Sequence, residues 1–127
     1  MSDCLFCRIL DGSVPSKKVY EDETIYAFED IAPKAPTHVL LIPKKHVAQL
    51  ADMSPEDEPL VGALAARAAA IARERGLSDY RLVANNGEGA GQSVFHFHFH
   101  LLGGRPVRWN QRRCGGRLPR GPLVGPC

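Results

Sequence analysis

Val94-Phe95-His96-Phe97-His98-Phe99-His100-Leu101-Leu102 alternates aromatic and imidazole side chains through three successive pairs. In a strand, successive side chains point to opposite faces, so a period of two divides the residues into two sets. The stretch therefore predicts a long final strand over residues 94–102. Phe95, Phe97 and Phe99 would face a core, and His96, His98 and His100 would line the other side. A merely solvated face carries mixed polar residues, whereas three imidazoles in strict alternation point to chemistry. The outer two lie about 13 Å apart along such a strand. They cannot share one zinc ion with bonds near ~2.0 Å, so the three histidines are expected to divide their tasks.

Immediately upstream, Asn85-Asn-Gly-Glu-Gly-Ala-Gly-Gln-Ser93 offers backbone N–H groups at glycines together with amide and hydroxyl donors, a composition suited to an anion. It is neither a P-loop, lacking Gly-Lys-Ser/Thr, nor a dinucleotide fingerprint, since it enters a strand and not a helix. An ordinary hairpin loop is the competing reading.

Further out, Cys4 to Leu10 reads as a short helix closed at Asp11-Gly12. Lys17–Asp22 and Thr24–Glu29 alternate apolar and polar residues and suggest two strands joined by a tight turn. His38–Pro43 is nearly all apolar, as a central strand should be. Ser54-Pro55 followed by acids at 56–58 starts a helix, which runs through an alanine-rich stretch to Arg75 and stops at Gly76. Pro59 should distort its first turn. Tyr80–Ala84 completes the strands. The expected fold is α+β: a mostly antiparallel five-stranded sheet with one long helix and a short N-terminal helix.

The 127 residues amount to one domain, and 44% hydrophobic side chains suffice for a core. Net charge is +2, unevenly spread. Residues 1–109 carry 12 basic and 14 acidic side chains, whereas residues 110–127 carry four arginines and no acid. The folded part is thus residues 1–109, and the Arg/Gly/Pro-rich residues 110–127 read as a disordered tail. A nucleic-acid-binding face is not supported, and no apolar run reaches the roughly 18 residues of a membrane helix. Without a secretory signal at the N-terminus, and with four cysteines too sparse for a disulfide scaffold, the expected compartment is the cytoplasm. Cys4 and Cys7 have the spacing of half a zinc site; a reduced thiol pair and a redox pair are the alternatives.

Gly91–Leu102 resembles the histidine triad motif, His-φ-His-φ-His-φ-φ with φ apolar. Asp30-Ile31, Ala35-Pro-Thr-His-Val39, Ile42-Pro-Lys-Lys-His46, Leu102-Gly-Gly-Arg105 and Trp109 also resemble that HIT superfamily, in particular its Hint branch, so the likeness covers residues 4–109. It implies a homodimer that binds purine nucleotides of the AMP type and hydrolyses nucleoside phosphoramidates. His98 would be the nucleophile, the backbone carbonyl of His96 would orient it, and His100 would donate to phosphate oxygens. His38 would bond into the triad. Ser93 and Gln92 would lie near the leaving group and phosphate, with Asn85 a polar contact on the phosphate side. Asp30 would receive the ribose hydroxyls, and Phe6, Ile9, Phe28 and Ile31 would form the slot for the base, with plain core as their alternative.

The resemblance implies no catalytic cofactor. It does imply a structural zinc held by Cys4, Cys7, His46 and His96. Cleavage of dinucleoside polyphosphates, or nucleotide binding with incidental catalysis, are the other readings; metal storage ranks below them. Two departures stand out: phenylalanines fill both triad spacers, and the end of the chain after Trp109 does not match.

Overall fold

Ile25-Tyr26-Ala27-Phe28 and Val39-Leu40-Leu41-Ile42 contain no side chain that must reach open water, and both become strands buried on two faces. In the computed structural model, which describes residues 3–105, five strands form one antiparallel sheet. These are β1 (Lys18–Glu21), β2 (Ile25–Glu29), β3 (Thr37–Pro43), β4 (Tyr80–Val83) and β5 (Phe99–Gly103), in the order β1-β2-β3-β5-β4. Helix α1 spans Leu5–Leu10 and helix α2 spans Glu58–Glu74. The α+β architecture expected from the sequence is therefore present. The tail, residues 110–127, and Trp109 lie outside the described residues.

Side chains at Ile25, Ala27, Val39, Leu41 and Leu101 pack on one face against Leu64, Ala68, Ile71 and Ala72 of α2. Tyr26, Phe28, Leu40 and Ile42 point the other way and meet Phe6 and Ile9 of α1. The apolar/polar alternation expected of the second strand is thus replaced by burial on both sides. Phe6 and Ile9 together contribute on the order of 4 kcal/mol by burial. That matters for a six-residue helix, which has no stability of its own in water.

The long helix begins less regularly than a simple cap would give. Pro55–Asp57 form a 3-10 turn before α2, and Asp57 reaches back to accept the Ser54 backbone N–H at 3.0 Å. Pro59 lacks an N–H, which is tolerable in this first turn, so the expected distortion takes this form.

The predicted strand over 94–102 needs correction: only Phe99–Gly103 pair as strand. Phe97 donates its N–H to Val47 O at 2.6 Å, tying the preceding residues to the 46–49 segment and away from a sheet ladder. Phe97 still enters the core at 1% exposure, but Phe95 is 43% exposed and does not face it.

Candidate functional site

Antiparallel register decides which polar groups meet. β3 and β5 pair Leu40 with His100 and His38 with Leu102, so His38 and His100 are diagonal neighbours on one face. Just beyond β2, Asp30 donates its N–H to His38 O at 2.9 Å, bringing a carboxylate beside the same imidazole. The pattern of hydrogen bonds then assigns each ring its tautomer.

Lys34 N–H donates to His38 Nδ1 at 3.0 Å, so the His38 proton sits on Nε2. From there it is shared between His100 Nδ1 at 3.0 Å and Asp30 Oδ2 at 3.4 Å. His100 consequently accepts at Nδ1 and carries its proton on Nε2. Asp30 uses its other oxygen to accept Ala32 N–H at 2.7 Å. His98 Nδ1–H donates to His96 O at 2.8 Å, which leaves a lone pair on His98 Nε2.

Burial keeps these rings neutral. It pushes His100 down to about 4, helped by the neighbouring His98 and His38. His98 is lowered for the same reason, against the opposing bond to His96 O and the Asp30 charge. His38 is lowered by burial as well, although Asp30 pulls the other way. An unprotonated Nε2 on a buried imidazole is a nucleophile at neutral pH, and the adjacent Nε2–H of His100 is a donor for developing negative charge.

A second cluster surrounds His96. Its Nε2–H donates to Pro43 O at 2.8 Å, so its Nδ1 lone pair faces outward. That atom lies 3.4 Å from Cys4 Sγ, 3.5 Å from Cys7 Sγ and 3.2 Å from His46 Nδ1, while Cys7 Sγ is 3.3 Å from His46 Nδ1. Four N/S ligands bound to one ion at about 2.0–2.3 Å and tetrahedral angles lie about 3.3–3.8 Å apart. The donor set and its spacings therefore fit a zinc-like ion. All four ligand atoms fall within 4.8 Å of one another. Burial holds His96 down to about 4, which suits a neutral ligand.

Asp30, His38 and His100 also gather within 4.8 Å. There the Lys34 amide decides against a metal: it occupies His38 Nδ1, so an ion at Nε2 would require an imidazolate.

Phe6, Ile9 and Phe28 are buried together, and the Phe6 ring stands edge-on to His98 at 5.0 Å between centroids. Ile31 is 96% exposed, so plain core does not describe it. Ser93 is exposed and lines a cleft with Cys4, Cys7, His46 and Phe95. Asn85 is half-buried, its Nδ2 beside Gly91. Gly87 and Gly91 hold φ of 90° and 102°, a conformation a side chain would strain.

Gln92 has a different surrounding from the one expected. It is buried, its amide donating to Ala48 O at 2.7 Å and Val94 O at 3.1 Å while its oxygen accepts Gly87 N–H at 2.8 Å. The side chain braces the glycine loop from inside. Sequence reasoning also missed the Lys34 amide and the Pro43 carbonyl; being backbone groups, they leave no mark in residue type.

Comparison with known proteins places these features in a context. The HIT domain matches residues 11–107. An HIT-like protein of Synechocystis sp. is 49% identical over 108 residues, 84% of this chain and 95% of that protein. Protein HitA of Neisseria gonorrhoeae is 44% identical over 104 residues, 81% of this chain and 97% of its own length. Among solved structures, a HIT family hydrolase from Legionella pneumophila matches with a TM-score of 0.82 at 50% identity, covering 84% of this chain and 97% of that one. A HIT family hydrolase from Clostridium thermocellum matches with a TM-score of 0.82 at 40% identity, covering 85% and 96%.

Proposed function

This chain belongs to the HIT family, and from that premise we propose that it is a nucleotide hydrolase acting through a nucleotidyl-histidine on His98. More specifically, it would be a Hint-type hydrolase of purine nucleoside 5′-phosphoramidates. The observation that carries this reading is the hydrogen bond from His98 Nδ1 to His96 O, which leaves Nε2 unprotonated. That nitrogen attacks the α-phosphorus, forming an N–P bond as the bond to the amine breaks and the departing nitrogen takes up a proton from solvent. Water then attacks phosphorus and gives up a proton to solvent, the N–P bond breaks, and the nucleoside monophosphate leaves with the His98 lone pair restored.

His100 Nε2–H steadies the phosphoryl oxygens as charge develops, and His38 holds it in that tautomer. Asp30 is assigned to the ribose, Phe6, Ile9, Phe28 and exposed Ile31 to the base, and Ser93 and Asn85 to the leaving group and phosphate. Gln92 shapes the loop that carries Ser93. Dinucleoside polyphosphates remain the second substrate class, since the same attack on phosphorus with a nucleotide leaving group uses the same atoms.

The test is AMP release from adenosine 5′-phosphoramidate by wild type and His98→Ala. Turnover should fall by at least about a thousandfold in the variant. Equal rates would remove His98 from the mechanism.

Zinc is proposed as a structural ion on Cys4, Cys7, His46 and His96. Metal analysis should find about one equivalent, and under a tenth would refute it. A homodimer is proposed through the small residues Gly62, Ala63 and Ala66, which α2 leaves exposed. A monomer by light scattering at micromolar concentration would count against that.

A further inference from the structure

His96 and Phe6 each belong to two places at once. The His96 ring offers Nδ1 to the sulfur cluster, while its main-chain oxygen accepts the Nδ1–H of His98. Phe6 lies in sequence between Cys4 and Cys7, and its ring sits 5.0 Å from His98 and 6.0 Å from His96. Cys4 also caps α1, its Sγ accepting Cys7 N–H at 3.4 Å. The wall beside the nucleophile is thus a helix of six residues that cannot stand alone, docked by Phe6, Ile9 and the cluster.

Cys7 is on that helix and Cys4 caps it, His96 is on the segment carrying the nucleophile, and His46 lies just beyond β3. A metal held by all four fixes α1, His46 and the 96–98 backbone relative to one another. Without it, His46 and His96 can share one proton at most between Nδ1 atoms 3.2 Å apart, a single hydrogen bond in place of ligand bonds that reach three separate segments.

We propose that the Cys4, Cys7, His46 and His96 cluster is a positioning element for the nucleophile, so that zinc occupancy and nucleotide binding are thermodynamically linked through His96 and Phe6. The linkage rests on the nucleotide-hydrolase reading above. It is reciprocal: whatever factor zinc adds to nucleotide affinity, nucleotide adds to zinc affinity.

The experiment titrates AMP calorimetrically into full-length protein carrying one equivalent of Zn²⁺ and into the same protein stripped by a chelator. Both are held at a temperature where their far-ultraviolet circular dichroism agrees; Cys7→Ser provides a second route to the weakened site. In parallel, Zn²⁺ affinity is measured against a chromophoric chelator with and without saturating AMP. The expected result is AMP binding weakened roughly five- to a hundredfold in the stripped protein, and Zn²⁺ binding tightened by the same factor with AMP. AMP affinities within twofold of each other, or a Zn²⁺ affinity indifferent to AMP, would overturn the linkage while leaving the hydrolase reading intact. Loss of the whole fold on metal removal at every temperature would replace it with a purely structural ion. Failure of loaded protein to bind AMP would overturn the hydrolase reading and the linkage with it, and failure to bind Zn²⁺ would overturn the linkage alone.

Discussion

His38 Nε2 lies 3.0 Å from His100 Nδ1, and the proton between them belongs to His38 because Lys34 N–H already occupies its Nδ1. One backbone amide thereby determines the tautomer of two imidazoles in series. His100 is left with its only proton on Nε2, the atom that can serve a phosphoryl oxygen.

Removing His38 should therefore impair turnover more than binding. His38→Ala frees His100 to adopt the other tautomer. AMP release should slow by about tenfold to a hundredfold, the usual effect of losing a partner that orients an imidazole. The check is steady-state kinetics resolved into kcat and KM: kcat falls and KM stays within about threefold. A fall confined to KM would show that His38 serves binding.

Stability should decline in mild acid because of His100. Its pKa is near 6.5 when unfolded and about 4 in the folded protein, where burial and then His98 and His38 oppose its charge. Asp30 pulls in the opposite direction and Lys34 adds to the depression. Between those values the unfolded chain binds more protons, so stability is complete above about pH 6.5 and is lost as pH drops towards 4. His100 accounts for up to about 3 kcal/mol of that loss. Urea unfolding at pH 7.5, 5.5 and 4.5 should show it, and His100→Gln should flatten the slope. A variant slope equal to wild type would assign the acid sensitivity elsewhere.

Gln92→Leu should cost on the order of 2–4 kcal/mol, since it strips partners from Gly87 N–H, Ala48 O and Val94 O together. Gln92→Glu should do no better, because it turns carboxylate oxygens towards two carbonyls. Thermal unfolding measures both. If either variant melts within 1–2 °C of wild type, the loop does not depend on this brace.

Much of this protein was legible in the residues themselves. The alternation of Phe97, His98, Phe99 and His100 marks a core side and a chemical side, and the chain keeps that division although only Phe99 and His100 of the four pair as strand. Ser54-Pro55, the following acids and Gly76 bound the long helix through local capping chemistry. The apolar run from Val39 to Ile42, ending at Pro43, is consistent with a central strand.

Tertiary structure alone decided the rest. Whether residues 94–98 pair as strand depended on Val47, distant in sequence, accepting the Phe97 N–H. Gln92 became a brace of the glycine loop because Gly87 and Ala48 arrive beside it. The meeting of Asp30, His38 and His100 follows from strand register, and the tautomers from the Lys34 amide and the carbonyls of Pro43 and His96. Side-chain type and spacing are properties of the chain and can be read along it. Backbone donors and acceptors are the same at nearly every residue, so only folding determines which of them a given side chain meets.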